Sequence, residues 1–147
     1  NALAGLAPWD SSVDESNTQA LKRIVEQHGW PAISLVGAEA SNAAWLLTQH
    51  ADHDVAFQEQ CLAIMKALPP GEVSLPNIAY LEDRVRVSHH QPQLYGTQFQ
   101  GTGTNLKPGP IEDEAQLDAR RAAMGLGAFA EYHKLMVEEY GPGSVSI

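Results

Sequence analysis

Apolar side chains return every three or four residues over most of this chain, the spacing that places them on one face of an α-helix. The stretch "ESNTQALKRIVEQH" carries Leu21, Ile24 and Val25 on such a stripe. Gly29 follows as a C-cap and Pro31 forbids continuation. "AEASNAAWLLTQHA" repeats the pattern through Ala43, Leu46 and Leu47, and "VAFQEQCLAIMKAL" through Val55, Cys61, Leu62 and Met65. Asp52 or Asp54 can cap the latter, which stops at Pro69-Pro70-Gly71. "SLPNIAYLEDRV" starts from Ser74 as N-cap, with Pro76 in its first turn. "EDEAQLDARRAAM", ended by Gly125, and "GAFAEYHKLMVEEY", ended by Gly141-Pro142, close the chain. "PAISLVG" reads as a short extended connector and "SHHQP" as a turn. "QLYGTQF" and "TNLKPGPI" read as two short strands joined by the Gly/Thr-rich "QGTGT". The expected architecture is mainly α: a single-domain helical fold of about six helices with one small β-hairpin. Residues 1–12 form an irregular lead-in with Trp9 as its anchor, and residues 13–147 a single helical domain.

Four of these stripes run into a polar residue. The first helix continues to His28, the second to His50, the third includes Gln58, and in the fourth Tyr80 and Leu81 are followed by Arg84. A buried polar group without a partner costs about 1–3 kcal/mol, so four such groups suit a shared polar pocket. The competing reading puts each at a helix end, facing solvent. His28 and His50 both close their helices, where the partial negative charge of the C-terminus favours an imidazolium. Asp52 and Asp54 push His50 the same way, and a histidine poised near neutral pH is a natural acid or base.

Composition narrows the classes. The 147 residues suit one compact domain with a continuous core. Nine basic residues against 18 acidic ones give a net charge of −9, without the basic stripe that nucleic-acid binding needs. No apolar run approaches the roughly 20 residues that cross a bilayer. The single Cys61 leaves no internal disulfide and no Cys-rich zinc site; it falls on an apolar stripe and reads as core rather than nucleophile. A cytoplasmic location is slightly favoured. The chain starts at Asn1 rather than Met, so a fragment or processed form is expected and a removed signal peptide stays open.

Metal chemistry competes for the same residues. "HADHD" offers His50, Asp52, His53 and Asp54, a donor set that suits zinc, manganese or iron, but HExxH, the EF-hand loop and Cys/His fingers are absent. His89-His90 read as a solvated turn and His133 as a packing residue. Arg120 and Arg121 read as helix-surface partners of Asp118 and Glu114, or one of them as a contact to an anionic ligand.

The ordered pieces "HGWP", "LVG", "QHAD", "FQ", "AYLEDRV", "QLYGTQ", "PIEDE" and "LDARRAAMGL" together resemble an uncharacterised bacterial family filed as a domain of unknown function. The resemblance runs from about Gln27 to Tyr132. It implies that His28, Trp30, Pro31, Gln49, His50, Asp52, Gln58, Asp83, Arg84, Gln93, Tyr95, Gln98 and Arg121 occupy pattern positions, whereas His53 and His89-His90 do not. It carries no reaction with it.

The expectation is a small cofactor-free enzyme doing acid–base chemistry on a polar small molecule or modified peptide by hydrolysis, elimination or cyclisation. His50 is its main acid or base, His28 the complement, and Tyr95 a proton or hydrogen-bond donor. Arg84 holds an anionic group, Gln58 and Gln98 fix orientation, and Gln49 and Arg121 complete the substrate-binding set. No metal, nucleic-acid or membrane partner is expected, and the oligomeric state is open. Two alternatives stand: a non-catalytic binding or immunity-type module whose polar cluster is a satisfied buried network, and a metal-dependent hydrolase.

Overall fold

In the computed structural model the described residues are 11–101 and 103–140, without the side chains of residues 11 and 12. The stretch around Trp9 and the Gly141-Pro142 stop lie outside them. The fold is mainly α with one small hairpin. Among the described residues are seven α-helices: α1 (Ser11–His28), α2 (Ile33–Val36), α3 (Ala38–Gln49), α4 (Val55–Ala67), α5 (Leu75–Ser88), α6 (Leu117–Ala123) and α7 (Phe129–Tyr140). Strands β1 (Phe99–Gln100) and β2 (Lys107–Pro108) pair antiparallel, Phe99 opposite Pro108 and Gln100 opposite Lys107. None of the described helices is long and apolar enough to cross a membrane.

The chain divides into two compact units, Asn1–Val73 and Ser74–Ile147. In the first, α3 packs against α1, α2 and α4. Its buried apolar side chains include Leu21, Val25, Trp30, Ala44, Phe57, Cys61 and Met65. Asp54 caps α4 by accepting a hydrogen bond from the Phe57 amide at 3.1 Å, so of the two candidate caps it is Asp54 that serves. In the second unit Ser74 caps α5, accepting from the Asn77 amide, and Pro76 sits in the first turn as expected. Ile78, Leu81 and Val85 are buried along one stripe of α5, while Ala79 and Asp83 are buried along another.

Four elements differ from the expectation, two of them, α2 and the first strand, for a non-local reason. Helix α1 begins at Ser11, two residues inside the expected lead-in of residues 1–12. "PAISLVG" is not extended: residues 33–36 form α2, because Glu72 satisfies its start. The Glu72 carboxylate accepts from the Ser34 amide (2.8 Å) and hydroxyl (2.5 Å), and its main-chain oxygen accepts from the Ile33 amide (2.9 Å). The two bonds from Ser34 hold the Glu72 carboxyl below its ordinary pKa. The expected strand "QLYGTQF" shrinks to Phe99–Gln100, because side chains take up the main-chain groups that a ladder would use. A 3-10 turn over Glu114–Gln116 replaces the first turn expected for α6.

Candidate functional site

The "QHAD" segment is the turn between α3 and α4. A helix end leaves carbonyls without partners, and here a side chain from α4 answers them. Gln58 is 0 % exposed. Its Nε2 donates to the Thr48 carbonyl (3.1 Å), the Gln49 carbonyl (3.3 Å) and Asp52 Oδ1 (3.3 Å). One buried amide therefore ties down the backbone on the N-terminal side of His50 and the carboxylate two residues beyond it. Gln58 Oε1 is buried and accepts no hydrogen bond among the described residues. His50 is the half-buried C-cap of α3, and Gln49 beside it is buried. His28 closes α1 as an exposed side chain.

The acidic residues of "HADHD" go to different tasks. Asp52 meets Gln58, whereas Asp54 caps α4 and pairs with Lys22, whose ammonium also lies 5.5 Å from the centre of the Phe57 ring. The bond from Lys22 holds the Asp54 carboxyl below its ordinary value. Among the described residues no group of three or more His, Cys, Asp and Glu side chains could hold a metal ion.

In the second unit the loop 94–98, the "LYGTQ" of the sequence, is held through its backbone by side chains from outside it. The Asp83 carboxylate, 0 % exposed, accepts at Oδ1 from the amides of Leu94 (2.9 Å) and Tyr95 (3.1 Å). At Oδ2 it accepts from the Thr97 amide (2.9 Å) and hydroxyl (2.8 Å). Burial pushes the Asp83 carboxyl up, and these four donors pull it back. Gln93, also buried, pairs its amide with the backbone of Gln98 as a strand would. Its Oε1 accepts from the Gln98 N–H (2.7 Å) and its Nε2 donates to the Gln98 carbonyl (2.9 Å).

The loop's other carbonyls go to α6 and α7. Arg120 Nε donates to the Leu94 carbonyl (2.7 Å), and its Nη atoms donate to the carbonyls of Asp113 and Glu112. Arg121, 2 % exposed, donates from Nη1 to the Tyr95 carbonyl (2.6 Å) and from Nε to that of Gly127 (2.7 Å). Its guanidinium lies over the rings of Tyr132 (5.1 Å) and Phe129 (5.7 Å), and burial pulls its pKa down. The Tyr132 hydroxyl donates to the Thr97 carbonyl (3.1 Å). Neither arginine is bound as the helix-surface partner of Asp118 or Glu114: both are spent on main-chain oxygens. Phe99 stacks on Phe129 and meets Tyr132 and His133 edge-on, which makes His133 a packing residue.

Above this anchored backbone stand three half-buried side chains, Tyr95, Gln98 and Arg84. Arg84 Nη1 donates to Gln98 Oε1 (3.0 Å), and Gln98 Nε2 donates to Thr97 Oγ1 (3.0 Å). Burial raises the Tyr95 phenol above its ordinary pKa, and the carboxylates of Glu82 and Asp83 add to this. Of the residues expected at a site, Gln49, His50 and Gln58 cluster in the first unit, and Arg84, Tyr95, Gln98 and Arg121 in the second. Sequence reasoning named Asp83 and Gln93 only as pattern positions and Arg120 only as a surface charge or anion contact, and missed Thr97 and Tyr132 as site-building residues. For Asp83 the available signal is Ala79 one turn earlier, a small residue that leaves room for a second buried face on α5.

No curated protein matches the chain, and no solved structure does. One family model covers residues 1–144. The chain therefore belongs to the family of unknown function DUF6624.

Proposed function

We propose that loop 94–98 and Arg84 form a recognition platform for a polar small molecule or modified peptide, and, as a separate proposal for the first unit, that His50 is an acid–base group. The single observation behind this reading is the division of labour in the loop. Its backbone is held by Asp83, Gln93, Arg120, Arg121 and Tyr132, while the side chains of Tyr95, Gln98 and Arg84 keep access to solvent. Side chains on a backbone fixed this firmly lose little freedom on binding, which is what a preorganised site requires. Arg84 suits a carboxylate or phosphate, and Tyr95 a group that donates or accepts one hydrogen bond. On the first unit, Gln58 fixes the turn that carries His50, so hydrolysis, elimination or cyclisation without a cofactor is within its reach. Membership of a bacterial motif family, with "QHAD" and "YGTQ" as its marks, belongs to the same reading.

The test is a ligand-observed NMR screen of polar metabolites and modified peptides. Tyr95→Phe removes only the hydroxyl, because the structure uses the main chain of Tyr95 to hold the loop. Compounds bound at the platform should weaken roughly tenfold in Arg84→Ala and severalfold in Tyr95→Phe, the size of one lost hydrogen bond. His50→Ala should leave platform binding intact and abolish any acid–base turnover the protein shows. Ligands indifferent to both platform variants would refute the reading.

A second reading, a non-catalytic interaction module, is favoured by the completeness of the pairing around Asp83 and Arg121. The net charge of −9 then suits a basic partner. A ligand bound at the platform but never turned over, with His50→Ala silent, selects this reading.

A further inference from the structure

We infer that Asp83 is the positioning residue of loop 94–98: its carboxylate is an internal anion held in a cradle of main-chain amides, and this grip sets how the loop presents the Tyr95 phenol. The inference rests on the proposal that the loop is a recognition platform only for its functional meaning; the cradle itself stands on geometry alone.

Three amides, of Leu94, Tyr95 and Thr97, converge on one carboxylate, with the Thr97 hydroxyl as fourth donor, all at 2.8–3.1 Å. Amide N–H groups only donate, so the group they surround must accept at both oxygens, as a carboxylate does. Gly96 lies between the bound amides with φ +66, a left-handed conformation that turns successive amides toward one point. The two amides bound to Oδ1 belong to Tyr95 and its predecessor, so the carboxylate fixes the peptide planes from which the Tyr95 side chain departs. A neutral, shape-matched side chain cannot replace it. Asparagine places an NH2 where one oxygen accepted, donor against donor, and alanine leaves the amides facing an empty cradle of carboxylate shape.

That last property gives the test. In Asp83→Ala, amide hydrogen exchange at Leu94, Tyr95 and Thr97 should accelerate by about ten- to a hundredfold, the loss of hydrogen bonds to a charged group. The Tyr95 ring signals in a 13C-tyrosine NMR spectrum should move from their wild-type positions. Sodium formate, which supplies a free carboxylate of the right size, should return both, while formamide and sodium chloride should not. Should Asp83→Ala fail to fold, Thr97→Val decides. It removes one of the four donors and should shift the Tyr95 ring signals, and Thr97→Ser, which keeps the hydroxyl, should leave them in place. Unchanged Tyr95 signals in Thr97→Val, or in a folded Asp83→Ala, would overturn the inference, as would equal rescue by formamide. The outcome is independent of the ligand screen: a cradle rescued by formate with no platform ligand found leaves Asp83 as positioning residue and removes the proposed function.

Discussion

Asp83, Gln93 and Arg121 are buried polar side chains that answer backbone groups rather than one another. A buried amide or carbonyl without a partner costs about as much as a lost hydrogen bond, so an irregular loop inside a protein must find partners in side chains. Asp83→Asn, with one acceptor turned into a donor, should cost about 3 kcal/mol in urea denaturation. Gly96→Ala should cost about 2 kcal/mol in the same measurement. The added Cβ would stand 2.7 Å from Phe129 Cε1 and 3.2 Å from Ile111 Cδ1, on a backbone with φ +66. Cys61 offers a different check. It is fully buried, and burial pushes its thiol up to about 12. A group raised in this way keeps its contribution below its unfolded value and loses it progressively as pH climbs from there through the folded one. At pH 8 a thiol reagent should therefore label Cys61 no faster than the protein opens, and labelling at the rate of a free thiol would contradict its burial.

Helices and their ends show which parts of the fold were readable locally. Ser74 and Asp54 were legible as caps because a cap bonds an amide three residues ahead, within one stretch of sequence. Removing the Asp54 cap by alanine should cost about 1 kcal/mol, measured by thermal unfolding. Helix α2 was not legible, because its start is satisfied by Glu72, 38 residues beyond Ser34. Asp54 and Glu72 both have carboxyls held below their ordinary values, so their contribution is present above the unfolded pKa and lost as pH falls through the lowered folded values. Acid should therefore loosen α2 and the start of α4 below about pH 4, as amide exchange at Ser34 and Phe57 would show. Glu72→Gln should remove the α2 part of that response. Helix α5 misled the stripe reading for another reason. With Asp83 buried on its second face, a single apolar stripe is the wrong template.

Across the chain, net charge and family membership were both accessible without coordinates of any atom. The excess of nine negative charges opposes compaction, and salt screens it over about 10 Å. Raising salt from low to physiological strength should raise Tm by a few degrees, on the order of 1 kcal/mol, and a falling Tm would show that attractive pairs such as Lys22–Asp54 dominate instead. The mainly helical architecture, six of the seven described helix bodies and two caps follow from periodicity and punctuation, because those signals act between neighbours in sequence. The polar positions His28, His50, Gln58 and Arg84 were also visible, as interruptions of that periodicity. Their roles were not. Whether a polar side chain meets solvent, a carbonyl or another side chain depends on what distant segments bring to it. Only the folded chain shows that Gln58 holds the turn of His50, and that Asp83 and Arg121 spend their charge on the backbone of a single loop.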